Sequence, residues 1–165
     1  MAKVITYSRT FPSYHPKVGQ PTYFVEAIYK NLGFKWKDIP NVLIEQYVLA
    51  EGFSKGHTIR SGKRFKKGDF FSPRVWSGKP YQSKQIILSK DIEIANVWDI
   101  IILVQDFGKL GLQAVITIDG KDFQNIELLA KNDGLSIADF LHWFKTEKGE
   151  VFVGQIICWD DSVSY

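Results

Sequence analysis

SKGHTIRSGKRFKKGDFFSPRVW, residues Ser54 to Trp76, changes character twice within its length. Thr58 and Ile59 are β-formers at the start of a strand. A basic loop follows, and Gly68-Asp69 then leads into a second strand, Asp69 to Trp76, rich in aromatic and apolar residues. Six of the chain's 21 basic residues lie between Lys55 and Lys67 (Lys55, Arg60, Lys63, Arg64, Lys66 and Lys67), with no acid before Asp69. A run of this kind concentrates phosphates or polyanions near whatever it surrounds, although taken alone it also reads as a solvated loop.

Downstream the pattern continues as strands. Gln85–Ile94 and Val97–Val104 are set apart by Gly78-Lys79-Pro80 and Asn96. Val115–Ile118 meets Asp119-Gly120, a strong hairpin signal, before Lys121–Phe123. A helix over Asn125–Lys131 comes next, then one from Ser136 with Asp139 three residues on and Ile137, Phe140, Leu141 and Phe144 on one face. The strand Val151–Trp159 ends the series. Upstream, Val4, Thr6 and Ser8 alternate with Ile5, Tyr7 and Arg9 as a strand, and the Pro-rich segment 11–21 forms a surface loop. Thr22 is positioned to cap a helix carrying Phe24, Ile28 and Leu32, which Gly33 ends. The spacing of Leu43, Tyr47 and Ala50 predicts a further helix over Asn41–Ala50. With no βαβ alternation, the expected fold is α+β, a small mixed β-barrel with peripheral helices. We expect a single domain over 1–165, with 1–52 as an N-terminal strand and helical appendage and 53–165 as the barrel core.

Composition narrows the function. The 165 residues are 45% apolar, enough for one core, and the longest apolar run, Ile100–Val104, is far too short to span a bilayer. The beginning MAKVITYSR has no signal-peptide pattern, so the cytoplasm is the default location. The lone Cys158, between Ile157 and Trp159, reads as an inert strand thiol. His15, His57 and His142 are scattered without metal-ligand spacing, and no phosphate-cradling glycine loop occurs, so neither a metal nor another cofactor is expected.

Lys55-x-x-Thr58-Ile59-Arg60, the basic loop, and Lys67-Gly68-Asp69 entering a strand together resemble the signature of the ASCH branch of PUA-like domains. The later Asp133, the capped helix from Ser136 and the strand Phe152–Cys158 are similar to the family's second motif, in the same order. Some ASCH proteins are small amidohydrolases acting on N(4)-acetylcytidine, and others are regarded as RNA-binding modules. The resemblance implies Lys55 as proton acceptor, Thr58 as nucleophile and Asp133, where the enzymes carry Glu, as proton donor. Under this reading turnover rises with pH through a depressed lysine pKa. The basic residues Arg60, Lys63, Arg64, Lys66 and Lys67 are, from their charge, the candidates for contacting substrate or nucleic acid. The aromatic residues Trp76 and Tyr81 are candidates for stacking on a base.

Read singly, Lys55 is a solvated lysine, Thr58 a strand residue and Asp133 a turn residue before Gly134. The expected partner is a nucleoside, nucleotide or RNA, with DNA still open, and no membrane. Two other classes also stay open. One is a non-catalytic nucleic-acid-binding module. The other is a protein-interaction or assembly module, whose mark would be an apolar patch around Phe11, Tyr14 and Tyr23.

Overall fold

The computed structural model describes residues 1–40, 43 and 54–165. The helix expected over 41–50 lies outside the described residues, apart from the buried Leu43. In chain order come β1 (Lys3–Tyr7), α1 (Phe24–Asn31), β2 (His57–Ser61), β3 (Phe70–Trp76), β4 (Gln85–Ile87), β5 (Ile92–Glu93) and β6 (Asn96–Asp106). After them come β7 (Leu112–Ile118), β8 (Lys121–Asp122), α2 (Ile126–Asn132), α3 (Ile137–Phe144) and β9 (Phe152–Cys158). The domain is mixed α+β, and no described helix is long and apolar enough to cross a membrane.

The strands form two sheets. In the first, β3 is flanked by β1 in parallel and by β4 and β5 antiparallel. The second is antiparallel in the order β2-β9-β6-β7-β8. Among the described residues no ladder joins the sheets into the closed barrel expected from sequence. The chain crosses between them at Ile94-Ala95, where Ile94 N–H donates to Asp69 O and Ala95 N–H to Cys158 O, both at 2.8 Å. β1, expected to belong to an appendage, is an edge strand of the first sheet.

The single strand expected over Gln85–Ile94 is two short ones. Both pair with β3, but Pro73 at its middle has no N–H to give and only accepts, from Leu88 N–H at 2.9 Å, so the ladder lapses between β4 and β5. The hairpin at Asp119-Gly120 forms as the sequence indicated, with both residues at positive φ (49° and 76°), the pattern of a type I′ turn. Asn125 and Ser136 cap α2 and α3 by accepting from Leu128 N–H and Asp139 N–H. At α1 the expected cap moves by one residue. Tyr23, at φ 59°, takes the N-cap position, while Thr22 Oγ1 donates to Ser8 O at 2.7 Å and ties the helix start to the end of β1.

Two apolar clusters follow from this layout. Ile5, Tyr7, Phe71, Val75 and Ile157 pack with Val25, Ile28 and Tyr29 of α1, while Ile59, Ile100, Ile102, Ile116 and Ile156 pack with Leu129, Phe140 and Phe144 of α2 and α3. β9 serves both, Ile157 in the first and Ile156 in the second, because alternate strand residues face opposite sides. Its neighbour β2 lies close, and Gly154 of β9, opposite Ser61, makes that approach possible: a Cβ there would stand 2.1 Å from Arg60 O. Gly154→Ala is expected to lower stability by about 1–3 kcal/mol, read as a fall in the urea midpoint. An unchanged midpoint would mean that β2 and β9 can separate freely.

Candidate functional site

Among the described residues β1 pairs only with β3 and β2 only with β9, so each leaves one edge without a strand partner there. Those edges face one another across a seam stitched by Arg60, whose Nη2 donates to Thr6 O at 2.7 Å. Just before β2, Lys55 N–H donates to Ala27 O of α1 at 3.1 Å, and Gly56 N–H to Asn132 O at the end of α2 at 3.0 Å. These bonds bring the start of the Lys55–Arg60 motif against the turn after α2, where Lys55 and Asp133 form an isolated antiparallel bridge. Gly134, at φ +78°, makes that turn and leaves room for the lysine stem, since a Cβ there would lie 3.3 Å from Lys55 Cβ.

The result is a buried ion pair. Lys55 Nζ donates to Asp133 Oδ1 at 2.5 Å and to Asp133 O at 2.6 Å, and it lies 4.3 Å from the centroid of the Phe24 ring. Lys55 is 2% and Asp133 5% exposed, so neither can be the solvated lysine or the open turn residue that each suggests in isolation. Because their backbones are bridged, an aspartate is long enough to reach the amine. Burial lowers the pKa of Lys55 and raises that of Asp133, while their mutual attraction opposes both shifts. Desolvation thus draws the two groups toward sharing their proton, while the ion pair between them resists that transfer.

Lys55, Thr58, Arg60 and Asp133 line one cavity of about 90 Å³, together with Tyr7 and Phe24. Tyr7 Oη is buried and, among the described residues, without a hydrogen-bond partner. Ile59, Trp143 and Phe144 are shared with a wider neighbouring cavity of about 500 Å³, which Tyr14 and Phe152 also line. The small polar chamber therefore adjoins a larger aromatic one. Behind the ion pair, His57 Nδ1 lies 3.7 Å from Asp133 Oδ1, and its Nε2 is 2.7 Å from Tyr165 Oη, which also accepts from Asn132 Nδ2 at 3.0 Å. Burial, and then the Lys55 charge, hold the His57 pKa well below its ordinary value, so the ring is neutral.

The other residues singled out from sequence divide. Arg60 reaches the small cavity and Arg64 a third one farther along the seam. Lys63 is engaged by Asp99, Lys67 Nζ lies 3.4 Å from Asn96 Oδ1, and Lys66 is exposed. Trp76 and Tyr81 pack on each other with centroids 5.2 Å apart and line none of these cavities, so the stacking residues expected from sequence are displaced. Trp143 and Tyr14 are among the aromatic residues that line the wider cavity. Of the residues expected in an apolar patch, Phe11 is buried, stacked on His15 and edge-on to Trp143, Tyr14 is exposed, and Phe11 and Tyr23 line a separate cavity of about 220 Å³. Cys158 is buried between Gly56 O and Asp160 O, with its thiol pushed up to about 11, in keeping with an inert strand residue.

Gln155 is a residue that the sequence reading missed. It is buried opposite Arg60, its Oε1 accepts from Arg64 N–H and Phe65 N–H at 2.9 and 3.1 Å, and its Nε2 donates to Phe65 O at 3.2 Å. One side chain thereby pins the basic loop. Its signal was a lone amide inside the apolar run VFVGQIICW. Comparison with protein-family models, curated proteins and solved structures returns no match for this chain.

Proposed function

We propose that the chain is a cytoplasmic ASCH-type, PUA-like domain that hydrolyses the amide of an N(4)-acylated cytosine nucleoside or nucleotide. The observation that carries this reading is the convergence of Lys55, Thr58 and Asp133 on one buried chamber beside an aromatic cavity. The base stacks against Trp143 and Tyr14 and directs its acylated exocyclic nitrogen into the chamber. Thr58 Oγ1 attacks the acyl carbon as neutral Lys55 accepts its proton. The carbon–nitrogen bond then breaks and protonated Asp133 gives its proton to the departing nitrogen. Water hydrolyses the threonyl ester, returning one proton to Asp133, while Lys55 reprotonates the Thr58 oxygen. The neutral Lys55–Asp133 pair supplies base and acid together, which fits the burial and contact of the two groups.

The direct test is single-turnover deacylation of N(4)-acetylcytidine followed by chromatography, and absence of turnover by the parent protein defeats the hydrolase reading. Tyr14, at 59% exposed, can be changed with little cost to the core. Tyr14→Ala should raise KM by roughly fivefold or more while leaving kcat nearly unchanged, the loss of about 1 kcal/mol of stacking. An equal fall in kcat would place Tyr14 in the chemical step instead.

Exposure of Lys66 and Arg64 favours a second reading, non-catalytic binding of nucleic acid. Affinity for labelled RNA and DNA should then fall steeply with salt, because each neutralised phosphate releases counterions. No binding at low salt removes that reading.

A further inference from the structure

We propose that the far end of the seam is a phosphate subsite, so that the cleft takes a phosphorylated nucleoside in preference to the bare nucleoside. A cavity of about 240 Å³ lies there between the facing edges of β1 and β2, lined by Thr6, Arg60, Ser61 and Arg64 among others, with no acidic residue in its wall. Arg60 borders both this cavity and the Lys55–Asp133 chamber, so a ligand contacting its guanidinium from one side lies next to the reacting groups on the other.

The charges around the cavity are unequally matched. Asp69 is paired with Lys3, Asp99 with Lys63 and Asp133 with Lys55. Neither Arg60 nor Arg64 forms an ion pair among the described residues, although Asp133 is near enough to Arg60 for the two to feel each other's charge. Arg60 Nε is buried and has no hydrogen-bond partner among them, an N–H withdrawn from water without compensation. A phosphate oxygen accepts from such a donor, and arginine's fork matches phosphate geometry better than a lysine would. Ser61 Oγ adds a hydroxyl donor. The loop bearing Arg64 is already held by Gln155, so little ordering is left for the ligand to impose.

That the phosphate belongs to a nucleoside rests on the reading above; that the cavity binds phosphate does not. The test is calorimetric titration of the full chain with inorganic phosphate, cytidine, cytidine monophosphate and a short oligocytidylate, repeated for Arg64→Gln, Lys66→Ala and Thr58→Val. Cytidine monophosphate should bind about tenfold or more tightly than cytidine, with inorganic phosphate competing. Arg64→Gln should abolish the preference without changing cytidine affinity, whereas Lys66→Ala, outside the cavity, and Thr58→Val should keep it. The oligonucleotide binding better than the monophosphate would identify a phosphodiester as the source, and the reverse a free nucleotide. Equal affinity for cytidine and its monophosphate, no competition by phosphate, or a preference that survives Arg64→Gln overturns the subsite. A phosphate preference without deacylation would sink the hydrolase reading alone, and deacylation without the preference would sink the subsite alone.

Discussion

Thr58→Val should lower single-turnover deacylation of N(4)-acetylcytidine to about one-thousandth of the parent rate or less, the scale of loss when a nucleophile is removed. Valine keeps the β-branched shape that suits β2 and removes only the hydroxyl, so the fold should persist. Lys55→Arg should be equally inactive for a different reason: guanidinium retains the charge but does not surrender its proton. The parent's pH dependence follows from the pair rather than from the lysine alone. The active form holds one proton between Lys55 and Asp133, so kcat/KM should be bell-shaped, rising above the ordinary aspartate value of 3.8 and falling below the ordinary lysine value of 10.5. This replaces the single rise expected from the lysine considered by itself. Parent-like turnover by Thr58→Val, in protein of unchanged thermal midpoint, would defeat the mechanism.

What could be read in the sequence was what depends on neighbouring residues. The Asp119-Gly120 turn, the Ser136 cap and the stop at Gly33 are local chemistry, and each stands where the sequence put it. The lysine, threonine and aspartate could be named because two short motifs occur in a particular order. Their meeting could not be derived, since Lys55 and Asp133 are 78 residues apart and touch only because β2 follows a segment tied to the end of α2. Which aromatic residues line the cavities was not legible for a related reason: with 15% aromatic residues, composition cannot say which rings line a cavity and which fill a core. Trp76 lies on β3 in the other sheet, whereas Trp143 reaches the chamber from α3. The seam itself was illegible, because an unclosed barrel is a property of which strand edges remain unpaired, and periodicity within a strand carries no record of its neighbours.

Asp133→Ala should destabilise the folded chain by about 3–5 kcal/mol, because it leaves a buried amine without its counter-charge. Desolvation already dominates the lysine, and in this variant only Asp133 O would remain of the two oxygens that Lys55 Nζ now contacts. Replacing both partners, as Lys55→Met with Asp133→Leu, should recover most of that loss, since a buried pair exchanged for apolar residues of similar size is often neutral or stabilising. The pH dependence gives an internal check. In Asp133→Ala the folded-state pKa of Lys55 is depressed, so the unfolded chain binds more protons between that value and the ordinary 10.5. Stability of the variant should therefore rise with pH across that window, and its deficit against the parent should be smaller at about pH 9.5 than at neutrality. Urea titrations of the parent, Asp133→Ala and the double variant at both pH values measure all three quantities. If the double variant is as unstable as Asp133→Ala, the ion pair is part of what holds the fold together. If it is as stable as the parent or more so, yet inactive, the charges contribute nothing net to folding, and the chemistry between β1 and β2 is what they serve.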